Sequence, residues 1–209
     1  FEPTNITIRR EALAQTSHLS GALMQCGVFQ GGSLAPLVWL LREWGDRRHV
    51  FACDSFGGFP PPTPNDQVNG EYLPVHQPDY FSDTSAERVR AMFEGLGLGD
   101  RVTLVQGYFE DTLSTASIGE ISVLILDCDL YESYLTCLES LYPAMQPGGW
   151  IIFDEYYSPG KYPGAKIAVD EFFADKPEKP QVAAHLLAEH PYERWYVVKV
   201  VSYPAESVG

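Results

Sequence analysis

At 209 residues, with 45% hydrophobic and 20% charged side chains, the chain suits one α/β domain with a full core, and two independent domains would be cramped. Its formal net charge of -14 argues against a nucleic-acid or anionic-membrane partner, because phosphate binding needs a basic footprint. No apolar stretch approaches the ~20 residues that cross a bilayer. No signal peptide is evident, and the first residue is Phe1 rather than Met, which leaves a removed N-terminal segment open.

In chain order, strand-like runs fall at 22–28 (ALMQCGV), 49–54, 102–106 (VTLVQ), 121–127 and 149–154. Helical patterns lie between them. Residues 33–45 place Leu34, Leu37, Val38 and Leu41 on one face, with Ser33 as a cap. Residues 84–97 open with Thr84 or Ser85 as the cap and Glu87 placed for a capping box. Further helices are predicted over 131–145 and 164–174, and 194–201 (RWYVVKVV) reads as the last strand of an antiparallel hairpin. Alternating strands and helices mean a mostly parallel sheet with right-handed crossovers. Residues 57–83 are rich in Pro and Gly without clear period, and Tyr72, Tyr80 and Phe81 lean towards a lid over a substrate. Cys26, Cys53, Cys128 and Cys137 show no CxxC pair and read as buried, reduced thiols of a cytoplasmic protein.

The chemistry-bearing residues close the apolar runs, where the ligand crevice of an open parallel sheet lies. The first run ends in QCGVFQGGS (25–33), whose Gly27, Gly31 and Gly32 permit a tight turn and close approach of a nucleotide-bearing ligand. It lacks the GxGxxG spacing of a dinucleotide fingerprint. Asp54 closes the second run, 23 residues past Gly31, where a carboxylate can accept from both ribose hydroxyls of an adenosine; its alternative role is a turn residue. The third run ends in QGYFEDTL, in which Gly107 allows close approach and Tyr108 or Phe109 can stack on an adenine, unless both rings are ordinary core.

Asp127 and Asp154 lie 27 residues apart, each at the end of a strongly apolar run. On neighbouring strands ~4.8 Å apart, they would converge on one hard cation, with Glu155 as a third oxygen donor, at ~2.0–2.1 Å for magnesium. Without a cation the two acids would repel. Their alternative role is to cap the following helix and loop. No histidine grouping has zinc spacing and no GxSxG elbow is present.

These motifs together resemble the macrocin O-methyltransferase family, enzymes that use S-adenosylmethionine to methylate sugar hydroxyls on natural products. The resemblance rests on CGVFQGGS (26–33), DSFGGFPPP (54–62), VRAMFEGLGL (89–98), VTLVQGYFEDTL (102–113), LDCDLYES (126–133), LYPAMQPGGWIIFDEY (141–156) and AVDEFF (168–173). It implies a Rossmann-like class I methyltransferase, with a mostly parallel seven-stranded sheet, helices on both faces and an antiparallel last strand. It also implies magnesium at Asp127, Asp154 and Glu155. The cofactor-contacting set is then Gln25, Gly27, Phe29, Gly31, Ser33, Asp54, Ser55, Gly107, Tyr108, Phe109 and Asp127, and Asp127 or Asp129 takes the proton.

Two departures stand out. Gln25 occupies a position where the family usually has Glu, and Glu155 one where it commonly has Asp. The family's N-terminal region also reads as short here, and Leu130 stands where related catechol methyltransferases keep a lysine base. The partner expected is a small-molecule acceptor, with no nucleic acid or membrane, in a homo-oligomer. The rival readings are a nicotinamide-dependent oxidoreductase, which leaves Asp154 and Glu155 unexplained, and a catalytically silent methyltransferase fold that acts as a binding module.

Overall fold

The computed structural model describes residues 3–114, 116–188 and 192–200. Seven strands form one sheet: β1 (Ala22–Cys26), β2 (Val50–Asp54), β3 (Val102–Gln106), β4 (Ile121–Leu126), β5 (Met145–Phe153), β6 (Gln181–Val182) and β7 (Trp195–Val198). Their order is β3-β2-β1-β4-β5-β7-β6, with the first five parallel and β7 antiparallel to both of its neighbours. Among the described residues six α-helices cover the faces: α1 (Pro3–Gln15), α2 (Ala35–Glu43), α3 (Ala86–Gly95), α4 (Phe109–Thr112), α5 (Tyr131–Leu141) and α6 (Pro163–Phe172).

The central strands are buried on both faces, so they read as continuous apolar runs rather than alternating ones. Every residue of β1 and β4 is buried. One core layer joins Ile8, Ala12 and Leu13 of α1 to Leu37, Val38 and Leu41 of α2 and Val89 and Phe93 of α3. The other joins Tyr134, Leu138 and Leu141 of α5 to Ala165, Ala168 and Val169 of α6. All four cysteines are buried and unpaired.

Several predicted bounds move for identifiable reasons. The first strand stops at Cys26 because Gly27 turns with φ +85°. Ser33 does not cap α2. The N-cap is Leu34 without a side-chain bond, Pro36 lies in the first turn, and the Ser33 hydroxyl accepts from Gln25 Nε2. Ser85 is the cap of α3, its Oγ accepting from Arg88 N, while the Thr84 hydroxyl donates to the Phe29 carbonyl. Glu87 therefore sits one place short of the capping-box position. α5 ends at Leu141, because a 3-10 turn containing Pro143 follows, and β5 starts at Met145 rather than 149. Val201, the end of the predicted final strand, lies outside the described residues.

α1 was not foreseen. Its inward face runs Ile8, Arg9, Ala12 and Leu13, with Thr16 just past its end, and the charged Arg9 breaks the apolar stripe that would have announced it. Arg48, 5% exposed, fastens the far end of this helix: its guanidinium donates to the carbonyls of Leu13 and Thr16, to the hydroxyls of Thr16 and Ser122, and to Asp46.

Residues 57–83 are fastened rather than structureless. Asp66, 1% exposed, accepts from Thr63 N and Oγ1 and from Tyr131 N at the head of α5. His76, fully buried, accepts from Leu73 N at Nδ1, which leaves Nε2–H to donate to the Lys161 carbonyl at 2.6 Å. The middle of the segment is thus bolted to α5 and to the turn before α6, and its two ends reach the ligand edge of the sheet.

Candidate active site

The strand order reverses between β1 and β4, and the carboxyl ends of the parallel strands open there into a cavity of about 880 Å³. Glycine is required where β1 passes β4. A Cβ on Gly27 would stand 1.7 Å from the Asp127 carbonyl oxygen. Gly27, Phe29 and Ser33 line the cavity, and Phe29 itself has a positive φ of 51°.

Asp54 is the residue that shapes this turn. Its Oδ2 accepts from Val28 N at 2.6 Å and Phe29 N at 2.8 Å, and its Oδ1 accepts from Phe56 N at 2.7 Å. Asp54 thus fills the turn role that the sequence offered as its alternative, and Oδ1, with one backbone donor, keeps clear capacity for another. Ser55 lines the cavity while its hydroxyl donates to the Gly58 carbonyl and accepts from Gly57 N.

Gln25 and Gly31 stand apart from the predicted set because neither lines the cavity. Gln25 is fully buried behind the turn, with Nε2 donating to the Gly27 carbonyl at 2.8 Å and to Ser33 Oγ at 3.0 Å. Gly31 makes room for α3: a Cβ there would meet Met92 Cε at 2.4 Å. At the end of β3, Gly107, Tyr108 and Phe109 all line the cavity. Tyr108 is 38% exposed and offers a free ring face, whereas Phe109 is buried in the core layer beneath.

The second half of the cavity is acidic. Asp127, Asp129, Asp154 and Glu155 all line it. Asp127 and Asp154 follow the adjacent strands β4 and β5, and one carboxylate oxygen from each of Asp127, Asp154 and Glu155 lies within 4.8 Å of the others. Burial, and then the neighbouring Asp154, push the Asp127 carboxyl up to about 6 against the pull of Arg9. Burial and Asp127 push Asp129 up to about 8. Burial, Asp129, Asp154 and Asp127 drive Glu155 well above the usual carboxylate range, although the Tyr134 hydroxyl donates to it at 2.5 Å. Asp127, Asp154 and Glu155 bring three hard oxygen donors close enough together that they could hold a divalent cation such as magnesium. Asp129 sits at φ +65° in a three-residue turn closed by Leu130 N and the Cys128 carbonyl, a strained position that aims it beside the other acids.

Repulsion between Asp127 and Asp154 does not by itself require a metal, contrary to the expectation from their spacing. Arg9 Nη2 donates to Asp127 Oδ2 at 2.9 Å and to Asp154 Oδ1 at 3.0 Å, so the protein supplies one cation of its own. A charged residue in the middle of an apolar helical stripe was the available signal. Phe81, one of the three aromatics read as a lid, lines the cavity, and so do Phe59, Lys161 and Tyr162, which the sequence did not single out. Phe81 packs with Phe29 at 5.0 Å and edge-on to Phe59 at 5.6 Å between ring centroids.

This sheet order, with an antiparallel strand inserted beside β5 and a cavity at the switch point, defines a class I methyltransferase fold. The family profile described as macrocin-O-methyltransferase matches residues 9–183, and the chain belongs to that family. It is 39% identical to a tetracenomycin rhamnosyl 4'-O-methyltransferase of Streptomyces olivaceus, over 65% of this chain and 53% of the relative. It is 36% identical to demethyldecarbamoylnovobiocin O-methyltransferase of Streptomyces niveus, over 76% of this chain and 60% of the relative. The O-methyltransferase NovP superposes with a TM-score of 0.78 at 30% identity, covering 95% of this chain and 80% of that one. Calicheamicin methyltransferase CalS11 shares the fold, with a TM-score of 0.75 at 23% identity, over 93% of this chain and 78% of that one. The chain spans 53–60% of the length of the curated relatives it matches.

Proposed function

We propose that the protein transfers the methyl group of S-adenosylmethionine to a hydroxyl of a natural-product glycoside or related small molecule, assisted by Mg²⁺. The observation that carries this reading is the meeting, in one cavity, of a glycine turn shaped by Asp54 and a trio of carboxylates, in a chain of this family. The relatives' names supply the acceptor class: a rhamnosyl tetracenomycin, a novobiocin precursor and mycinamicin III.

In this reading the turn at 27–33 and the Tyr108 ring receive the adenosine side of the cofactor. Asp127, Asp154 and Glu155 would hold the ion, which when bound would make an acceptor hydroxyl more acidic. The sulfonium C–S bond breaks as the C–O bond forms, giving S-adenosylhomocysteine and a methyl ether, and the hydroxyl proton passes to Asp129. Charge is lost from the sulfonium in this step, so much of the acceleration comes from holding the oxygen at ~3–3.5 Å from the methyl carbon. Four unpaired thiols fit a cytoplasmic protein.

Calorimetry tests the cofactor half directly. Binding of S-adenosylmethionine and S-adenosylhomocysteine, with none of NAD, is the expected result. Preference for NAD would transfer the site to hydride chemistry.

A further inference from the structure

Arg9 has a position and a set of contacts that the proposed reaction leaves unexplained. It is 1% exposed and does not line the cavity, whereas the two carboxylates it touches do, at 25% and 18% side-chain exposure. The guanidinium therefore approaches the acids from behind, out of the protein interior. A single nitrogen, Nη2, spends its two N–H groups on Asp127 Oδ2 and Asp154 Oδ1. Arg9 thus engages one oxygen of each carboxylate and leaves the second outside its own grip, with Asp127 also hydrogen-bonded to Glu155. Arg9 Nε and Nη1 are buried without a hydrogen-bond partner among the described residues, so the side chain meets its desolvation cost through those two bonds.

We propose that Arg9 is a positioning residue: a rear bracket that sets the separation and orientation of Asp127 and Asp154 so that their carboxylates converge on a divalent cation. This inference rests on the metal-assisted reading above. The bracket is itself held from a distance. α1 is tied at its far end by Arg48, which donates to the Leu13 and Thr16 carbonyls, so the docking of α1 fixes where the guanidinium stands. One turn before Arg9, Asn5 lines the cavity and its Oδ1 is a buried acceptor without a partner among the described residues, so the same helix also faces the acceptor space.

The sign of one measurement separates this role from simple electrostatics. If Arg9 only placed a positive charge near the site, removing it would tighten cation binding through the weaker repulsion. If it brackets the ligands, removing it loosens them, and losing an outer partner of this kind weakens metal affinity about 10–100-fold. Mn²⁺ is the probe, titrated into the full chain and read by electron paramagnetic resonance and calorimetry in wild type, Arg9→Gln and Arg9→Lys. Circular dichroism is recorded on each variant to establish that the fold is kept. Arg9→Gln is expected to lose about 10–100-fold in Mn²⁺ affinity with a broadened spectrum. Arg9→Lys, which retains a cationic donor on a shorter side chain, should recover part of the loss. Should Arg9→Gln prove unstable, Arg9→Lys carries the test, with a loss of affinity at retained charge as its expected result. Equal or tighter Mn²⁺ binding in a folded variant overturns the bracket while leaving the metal reading intact. Failure of the wild type to bind Mn²⁺ overturns both.

Discussion

Replacing Asp54 by Asn separates a residue that merely lines the cavity from one that builds it. Asp54 Oδ2 holds the N–H groups of Val28 and Phe29, and Oδ1 holds that of Phe56. Asparagine keeps a single acceptor oxygen. Turned towards Val28 and Phe29, it sets its amide nitrogen against the Phe56 N–H; turned the other way, it sets that nitrogen against two N–H groups. At least one charge-assisted bond of about 1.5–3 kcal/mol is lost, and the bonds that remain fall from charged to neutral acceptors. A total near 3 kcal/mol follows, which in a domain of this size lowers Tm by about 6–12 °C. Because the 27–29 turn is the surface offered to the cofactor, the affinity for S-adenosylmethionine should fall as well. Scanning calorimetry and isothermal titration of Asp54→Asn read the two effects. A loss below about 0.5 kcal/mol, the range of ordinary surface substitutions, with unchanged affinity would refute the argument.

Further outcomes follow from other contacts. Gly164 lies in the first turn of α6, and alanine in a helix is ordinarily stabilising by about 1 kcal/mol over glycine. Here a Cβ would stand 2.0 Å from Asp66 Oδ1 and 2.8 Å from Tyr131 N, so Gly164→Ala should lower the urea midpoint, and a rise would contradict the packing of the 57–83 segment. Burial works to raise the Asp46 carboxyl, but its hydrogen bonds from Arg48 prevail and hold it below its ordinary value. The stabilisation it gives is present above the ordinary carboxylate pKa near ~3.9 and is lost as pH falls through the lower folded value. The gap in urea stability between wild type and Asp46→Asn should therefore narrow from pH 6 towards the most acid range, and a gap independent of pH would count against the pairing.

The sheet was legible because its central strands are buried on both faces, which leaves uninterrupted apolar runs such as 121–126 that end in acids. The site's main acids were legible for the same reason, since Asp54, Asp127 and Asp154 each close such a run. What the sequence hid were contacts made by single residues over long separations. Arg9 meets Asp127 across 118 residues, Asp66 meets Tyr131 across 65, and His76 meets the Lys161 carbonyl across 85. None leaves a local period. Gln25 looked like a cofactor contact by position, yet its Nε2 is spent within the turn it supports and the residue does not line the cavity. The Pro- and Gly-rich stretch at 57–83 looked structureless because its own backbone order is limited to short turns and one bridge, and Asp66 and His76 tie it to other elements.

The most direct test is methyl transfer itself. Purified protein is incubated with S-adenosylmethionine, Mg²⁺ and a panel of natural-product glycosides bearing free sugar hydroxyls, and products are followed by mass spectrometry. The account predicts a gain of one CH₂ on an acceptor, with stoichiometric S-adenosylhomocysteine, abolished by EDTA and by Asp127→Asn. Undiminished transfer by Asp127→Asn in EDTA would contradict it.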